Sequence, residues 1–290
     1  MALAVTPFPH VHPDSRLAKP SRFHLNGIPV DRLSLDDAAA WVIHALRNRK
    51  TNRDSRGPLL IMGPNAQLVT LAARNPVFAR ALRSAHLAVP DGISIVLAAR
   101  LLGQPVPERV PGGELMERLC IETARRNLSV FFLGGLPGAA EKTARKFKIL
   151  YPGFCVAGTD CPPPGFENDP AESARIRHHI STAKPDLLCV AFGAPKQEIW
   201  MVENCTTLPI GAAISVGAAL DTQSGLRKRA PKWTHRIGLE WLYRLICEPR
   251  RLWRRYLIGN THFLWLVARQ CWREGITGRR NSRILSLFAR

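Results

Sequence analysis

The chain has 290 residues, 46% of them apolar, enough for one substantial core and a small addition but too few for several independent domains. Its 41 Lys and Arg against 22 Asp and Glu leave a net charge of +19, which favours a polyanionic partner such as nucleic acid, anionic lipid or a diphosphate without choosing among them. No uninterrupted apolar run approaches the roughly 18 residues of a spanning helix, and Pro7, Pro9 and Pro13 interrupt the only N-terminal stretch that could pass for a secretory signal.

Residues 1–22 are rich in Pro and His without periodicity and read as a loose tail. His24-Leu-Asn-Gly-Ile-Pro-Val then reads as a strand, Ser34 as a helix cap, Asp37-Ala-Ala-Ala-Trp-Val-Ile-His-Ala-Leu as an amphipathic helix, and the polar residues 48–57 as a loop. From residue 58 short apolar runs (LLIM, HLAV, SVFFLGG, FCVAG, DLLCVAFG, IGAAISVG) alternate with helical stretches. This alternation predicts an α/β fold, a Rossmann-like, mostly parallel sheet with helices on both faces over 23–226. The composition changes near residue 227: from there to the C-terminus 16 Lys and Arg face 3 acidic residues, and five of the seven Trp lie here. Residues 227–290 therefore read as a separate basic, aromatic-rich helical appendage. Seven cysteines, at 120, 155, 161, 189, 205, 247 and 271, form no Cys-x-x-Cys pair and are expected to be buried thiols of a reducing compartment.

Ligands of such sheets lie beyond the strands' carboxyl ends, and the candidate residues cluster at those ends. After LLIM, Asn65 is suited to bond an acceptor sugar or simply to cap the next helix. Asp91, after HLAVP and before Gly92, is suited to act as a general base toward a hydroxyl, with a helix cap as the plain alternative. Arg109, in the loop PERVPGG, offers a guanidinium for phosphate oxygens. SVFFLGG runs into Leu136-Pro137-Gly138; Gly134 and Gly135 would let a ribose or phosphate approach backbone amides left free to face an anion. The turn lacks one glycine of the dinucleotide fingerprint, yet Asp160 falls near the expected acidic position, so a nicotinamide enzyme stays open on this motif. A second glycine-proline turn delivers Lys196, for a phosphate, and Gln197, for a sugar or base; a solvated first helical turn would equally explain both and Glu198. A third strand end delivers Asp221, which could accept from a nucleobase or ribose. In the appendage, arginines interleave with Leu, Trp and Tyr, and Arg251 and Arg254 share a helical face. That surface suits a diphosphate, anionic lipid or nucleic acid. No Asp-x-Asp loop, His-Glu-x-x-His or His/Cys cluster is seen, so neither metal nor cofactor is expected.

Taken in order along one chain, PNAQLV, VPDGISIVLAARLLGQPVPERVPGGEL, FFLGGLPG, AFGAPKQE, SVGAALD and RKRAPKWTHRIGLEWLYRLICEPRRLWRRY resemble the WecG/TagA/CpsF bacterial glycosyltransferases, glycosyltransferase family 26, from about Asn26 to about Tyr256. The resemblance implies inverting, metal-independent transfer of a hexose (N-acetylmannosamine, its uronic acid or glucose) from a UDP-sugar to an undecaprenyl-diphosphate-linked sugar in cell-surface polymer synthesis. It also implies a cytoplasmic enzyme held peripherally on the anionic inner face of the plasma membrane, with self-association left open and no nucleic-acid partner. It puts the base on Asp91 and an acceptor-side role on Asn65, with Arg109, Arg244, Arg251 and Arg254 facing the diphosphates. Gly134, Gly135, Gln197 and Asp221 fall on the nucleotide side. Where the family often has threonine two residues before the asparagine, this chain has Gly63.

Overall fold

A computed structural model describes residues 19–52, 57–227 and 249–275. The chain enters through β1 (Arg22–Leu25) and β2 (Ile28–Asp31), an antiparallel pair. The sequence reading has one strand here. Asn26 and Gly27, at φ 49° and 76°, instead form a two-residue turn, for which Asn-Gly is the preferred pair. Asp31, fully buried, accepts from Arg22 at 2.7 and 2.8 Å and from the Ala88 amide at 2.7 Å, which ties the hairpin to the main sheet.

The helix α1 (Leu35–Asn52) starts at a reciprocal cap: the Asp37 amide donates to the Ser34 hydroxyl at 3.1 Å and the Ser34 amide to the Asp37 carboxylate at 3.2 Å. It runs to Asn52, so residues 48–52 are helical and not loop as expected. Then follow β3 (Leu59–Met62), α2 (Ala66–Ala72), α3 (Pro76–Arg83), β4 (Leu87–Ala88), α4 (Ile93–Leu101) and α5 (Gly112–Ala124). The second half alternates β5 (Ser129–Gly134), α6 (Ala139–Leu150), β6 (Cys155–Asp160), α7 (Pro170–Ala183), β7 (Leu187–Ala191), α8 (Lys196–Asn204), β8 (Ala212–Ser215) and α9 (Ala219–Gln223). A long helix, α10 (Pro249–Arg273), follows.

Six strands form one parallel sheet in the order β4-β3-β8-β7-β5-β6. Its strands are near-continuous apolar runs because both faces are covered. Alternate residues point to opposite faces: Leu60, Met62, Phe131, Leu133, Leu188 and Val190 pack toward α2, α3, α4, α7, α8 and the hairpin. Leu59, Ile61, Val130, Phe132, Leu187 and Cys189 pack toward α1, α5, α6 and α9. The expected α/β sandwich is present. Phe263, Leu266 and Val267 of α10 join the first of these cores against α2. The expectation of buried thiols holds for Cys120, Cys189 and Cys205; Cys155 is exposed at the sheet edge, Cys161 and Cys271 are half-buried, and Cys247 lies outside the described residues.

The strand order fixes where a ligand can sit. From β5 the chain moves outward to β6, then crosses back to β7, so a crevice opens beyond the carboxyl ends of β5 and β7. A second reversal separates β4 and β8 on either side of β3. All the loops named above leave the sheet at this one edge.

Candidate functional site

On the β3 side, Asp91 lies just past β4. Its amide donates to the Pro64 carbonyl at 3.1 Å, which sets it beside the turn that carries Asn65. The cap alternative applies to Asn65 alone. Asn65 starts α2 and its Oδ1 accepts from the Leu68 amide at 3.1 Å, whereas α4 begins at Gly92 with no side-chain cap. The half-buried Asp91 carboxylate is therefore not committed to a helix end. Gly92, at φ 130°, adopts a backbone that a side chain strains, and this turn brings it against Asn65.

Two further glycines make room around the carboxylate. A Cβ at Gly63 would lie 3.1 Å from Asp91 Cβ and 3.4 Å from its Oδ2; one at Gly112, the first residue of α5, would lie 4.0 Å from Oδ2 and 3.3 Å from the Ser215 carbonyl. The ends of β3, β4, β8 and α5 thus converge on Asp91. Arg109 belongs to the same locality: the Val110 amide donates to the Pro90 carbonyl at 2.9 Å, and the half-buried guanidinium of Arg109 lies 3.9 Å from Glu114.

On the β5 side, Gly134 and Gly135 have φ of 93° and 85°. A Cβ on Gly134 would fall 2.8 Å from the Phe192 ring and 2.9 Å from the Ala191 carbonyl, so β5 and β7 approach each other closely only because the residue is glycine. The sequence reading leaves the amides of this turn free for an anion. The structure corrects that: Gly135 donates to the Ala191 carbonyl at 3.0 Å, and Leu136 donates to Asp221 Oδ1 at 2.8 Å. The buried Asp221 carboxylate occupies the position an anion would take, and its charge disfavours a phosphate there. Asp221 lies within α9 rather than capping it.

The β7 end turns through a cis Ala194–Pro195 peptide into α8. Lys196 is exposed and paired with Glu167. Gln197 and Glu198, by contrast, are buried. Gln197 Oε1 accepts from the Gly217 amide at 3.1 Å, and its Nε2 donates to Glu198 Oε1 at 2.7 Å. A solvated first turn is therefore excluded for these two. Burial pushes the Glu198 carboxyl up to about 6, against the opposing pull of Gln197, its own backbone and Ser215. Sequence reasoning missed Glu198 as a site residue. The available signal was its spacing: with Met201, and with Cys205 just past the helix end, it continues the inward stripe of α8.

Asp160, which kept a nicotinamide enzyme open, is engaged within the protein. It accepts from both terminal nitrogens of Arg175 at 2.9 Å and bonds His179 at 3.0 Å. Burial opposes its charge, but these partners outweigh it and hold the carboxyl below its usual range. It is not available to a ribose diol. Among the described residues no group of three or more His, Cys, Asp and Glu is placed to share a metal ion. Arg244 lies outside the described residues; Arg251 and Arg254 fall on α10.

Comparison with known proteins identifies the family. The model of the glycosyl transferase WecG/TagA/CpsF family matches residues 23–276, reaching beyond Tyr256 and past the end of α10. An N-acetylglucosaminyldiphosphoundecaprenol N-acetyl-beta-D-mannosaminyltransferase of Bacillus spizizenii is 32% identical over 231 residues, covering 79% of this chain and 86% of its own length. The enzyme of the same name from Staphylococcus aureus is 29% identical over 247 residues, covering 84% and 94%. With the family match spanning both strand-end clusters, the chain belongs to the WecG/TagA/CpsF family of glycosyl transferases.

Proposed function

We propose that the protein transfers N-acetylmannosamine, or a closely related hexose, from its UDP derivative to an undecaprenyl-diphosphate-linked N-acetylglucosamine, with inversion and without a metal. The observation that carries this reading is Asp91. It is a half-buried carboxylate at the carboxyl edge of the sheet, not used as a cap, and surrounded by the small residues Gly63, Gly92 and Gly112. The family membership and the relatives' printed activity supply the substrate classes.

In this reading Asp91 takes the proton from the acceptor hydroxyl as that oxygen attacks the anomeric carbon, and UDP departs from the opposite face in one displacement. Asn65, adjacent to Asp91, orients the acceptor sugar. The nucleoside lies in the crevice between the Gly134–Gly135 turn and the β7 end, near Asp221 and Gln197. Because Asp221 already holds the Leu136 amide, the diphosphate lies away from that turn, on the Arg109 side; the family resemblance assigns Arg244, Arg251 and Arg254 to it as well. Guanidinium groups there offset the charge that builds on departing UDP.

The lipid-linked acceptor places the reaction at a membrane. No helix among the described residues is long and apolar enough to cross one. Peripheral attachment to an anionic inner leaflet is supported by exposed Trp265 and Trp272 on α10 and by the +13 net charge of residues 227–290. The experiment is a panel of UDP-hexoses with a polyprenyl-diphosphate N-acetylglucosamine acceptor in EDTA. The expected result is transfer from one donor and an inverted anomeric product. Transfer that needs an added divalent metal, or a retained anomer, would contradict the mechanism.

A further inference from the structure

A carboxylic acid that is fully buried and half-satisfied is an unusual thing for a fold to keep. Glu198 has no solvent exposure, its Oε1 accepts from Gln197 at 2.7 Å, and its Oε2 has no partner in hydrogen-bond geometry, Ser215 and the Glu198 amide lying near enough only to favour the charge. Such a group costs stability in its ionised form, and a core built for stability alone would carry an apolar residue there. Its contacts lead to the nucleotide crevice. Gln197, held on one side by Glu198, accepts on the other from the Gly217 amide at 3.1 Å. Gly217, at φ 54°, is the turn from β8 into α9, four residues before Asp221. Asp221 in turn holds the Leu136 amide beyond β5 at 2.8 Å. One chain of contacts therefore crosses the ends of β7, β8 and β5.

We infer that Glu198 is a positioning residue for the nucleotide donor: its carboxylate fixes the Gln197 amide, and through Gly217 it sets the turn that presents Asp221. The inference rests on the glycosyltransfer reading above and adds to it a group that touches neither substrate. When Glu198 takes up a proton, the charge that strengthens the Gln197 contact is lost and the turn is held less firmly. The surroundings make Glu198 the group that titrates here. β3, β7, β8 and the turn Cys205–Thr207, all packed on α8, carry no charged side chain and only the thiols Cys189 and Cys205 as titratable ones; α3 carries Arg80 and Arg83, both exposed. On α8 itself Lys196 is paired with Glu167, and Glu203 is exposed.

The test is E198Q in the full chain, assayed for transfer across pH 5 to 8 with KM for the UDP-sugar separated from kcat. The expected result is a donor KM raised about tenfold at pH 7.5, the loss of one charge-assisted contact, with kcat within about threefold of wild type. In wild type the donor KM should rise as pH falls through about 6, and in E198Q that rise should be absent. The wild-type profile is a readout that needs no variant to fold. Wild-type transfer with an unchanged KM and the same acid limb in E198Q would overturn this inference alone. A wild type that transfers from no UDP-sugar and binds no UDP would overturn the glycosyltransfer reading and this inference with it.

Discussion

A carboxylate at this site acquires its task from its neighbours. Asp91, Asp160, Asp221 and Glu198 all lie at or near strand ends of one sheet, yet Asp160 is engaged by Arg175 and His179, Asp221 by the Leu136 amide and Glu198 by Gln197. Asp91 stands where Gly63 and Gly112 leave space beside its carboxylate, and Asp221 has Gly135 beside it but is tied to the Leu136 amide. The environment of Glu198 also has a consequence for stability. Its carboxyl is pushed up to about 6 from 4.5, so the folded state binds its proton more tightly than the unfolded chain does. The resulting cost is absent below pH 4.5, grows as pH rises through about 6, and is complete above it. At pH 7.5 it amounts to roughly 2 kcal/mol. Urea unfolding of E198Q should accordingly show a gain of up to roughly 2 kcal/mol at pH 7.5 and little difference near pH 4.5; a loss of stability at pH 7.5 would show that the ionised carboxylate supports the fold. Which of these carboxylates the fold ties to a neighbouring strand end or helix could not be seen in the sequence. Asp91 reads equally as a cap and Asp160 as a dinucleotide-binding acid, and the partners that engage Asp160 and Asp221 are 15 and 85 residues away.

At the scale of elements, the strand-end turns depend on glycine for close approach. Gly134 lets β5 and β7 come together where the donor's nucleoside is proposed to lie. In G134A the new methyl group would meet the edge of the partly buried Phe192 ring and the Ala191 carbonyl in a backbone already at φ 93°. A loss of about 1–3 kcal/mol by denaturant unfolding is expected, with weaker UDP binding by titration calorimetry. Unchanged UDP affinity in a folded G134A would remove this turn from the nucleotide site. The elements themselves were largely legible: apolar runs of four to six residues such as LLIM, SVFFLG and LLCVA became strands because both sheet faces are covered. Two features were not read. The Asn26-Gly27 dipeptide carries the hairpin signal, but Pro29 and the short flanks disguised it. The helix past His44 has few apolar residues, so the sequence shows no apolar stripe by which to follow it to Asn52.

For the whole molecule, charge and topology act together. All the proposed site residues on loops leave the sheet at one edge, and α10 packs against α2, the helix that Asn65 begins. The helix α10 of the basic C-terminal segment is therefore joined to the element that begins at Asn65, the proposed acceptor-side residue. The protein is expected to cosediment with vesicles containing anionic lipid at about 0.1 M salt and to be released as the salt is raised severalfold, because surface charges are screened over a few ångströms at high ionic strength. Equal retention on neutral vesicles would assign the attachment to the exposed Trp265, Trp272 and Leu264 instead. The charge of +19 and the clustering of Trp were plain in the sequence. The packing of Phe263, Leu266 and Val267 into the core was not, since a basic tail was expected to stand apart.

The most direct test of the account is the transfer rate of Asp91→Asn with the preferred UDP-hexose, in EDTA, alongside its unfolding midpoint. A kcat lowered about 100- to 10,000-fold, the range of a lost general base, is expected, with donor KM and unfolding midpoint close to wild type. Near-normal transfer by a folded D91N protein would contradict it, and the proton of the acceptor hydroxyl would then have to be taken by another group.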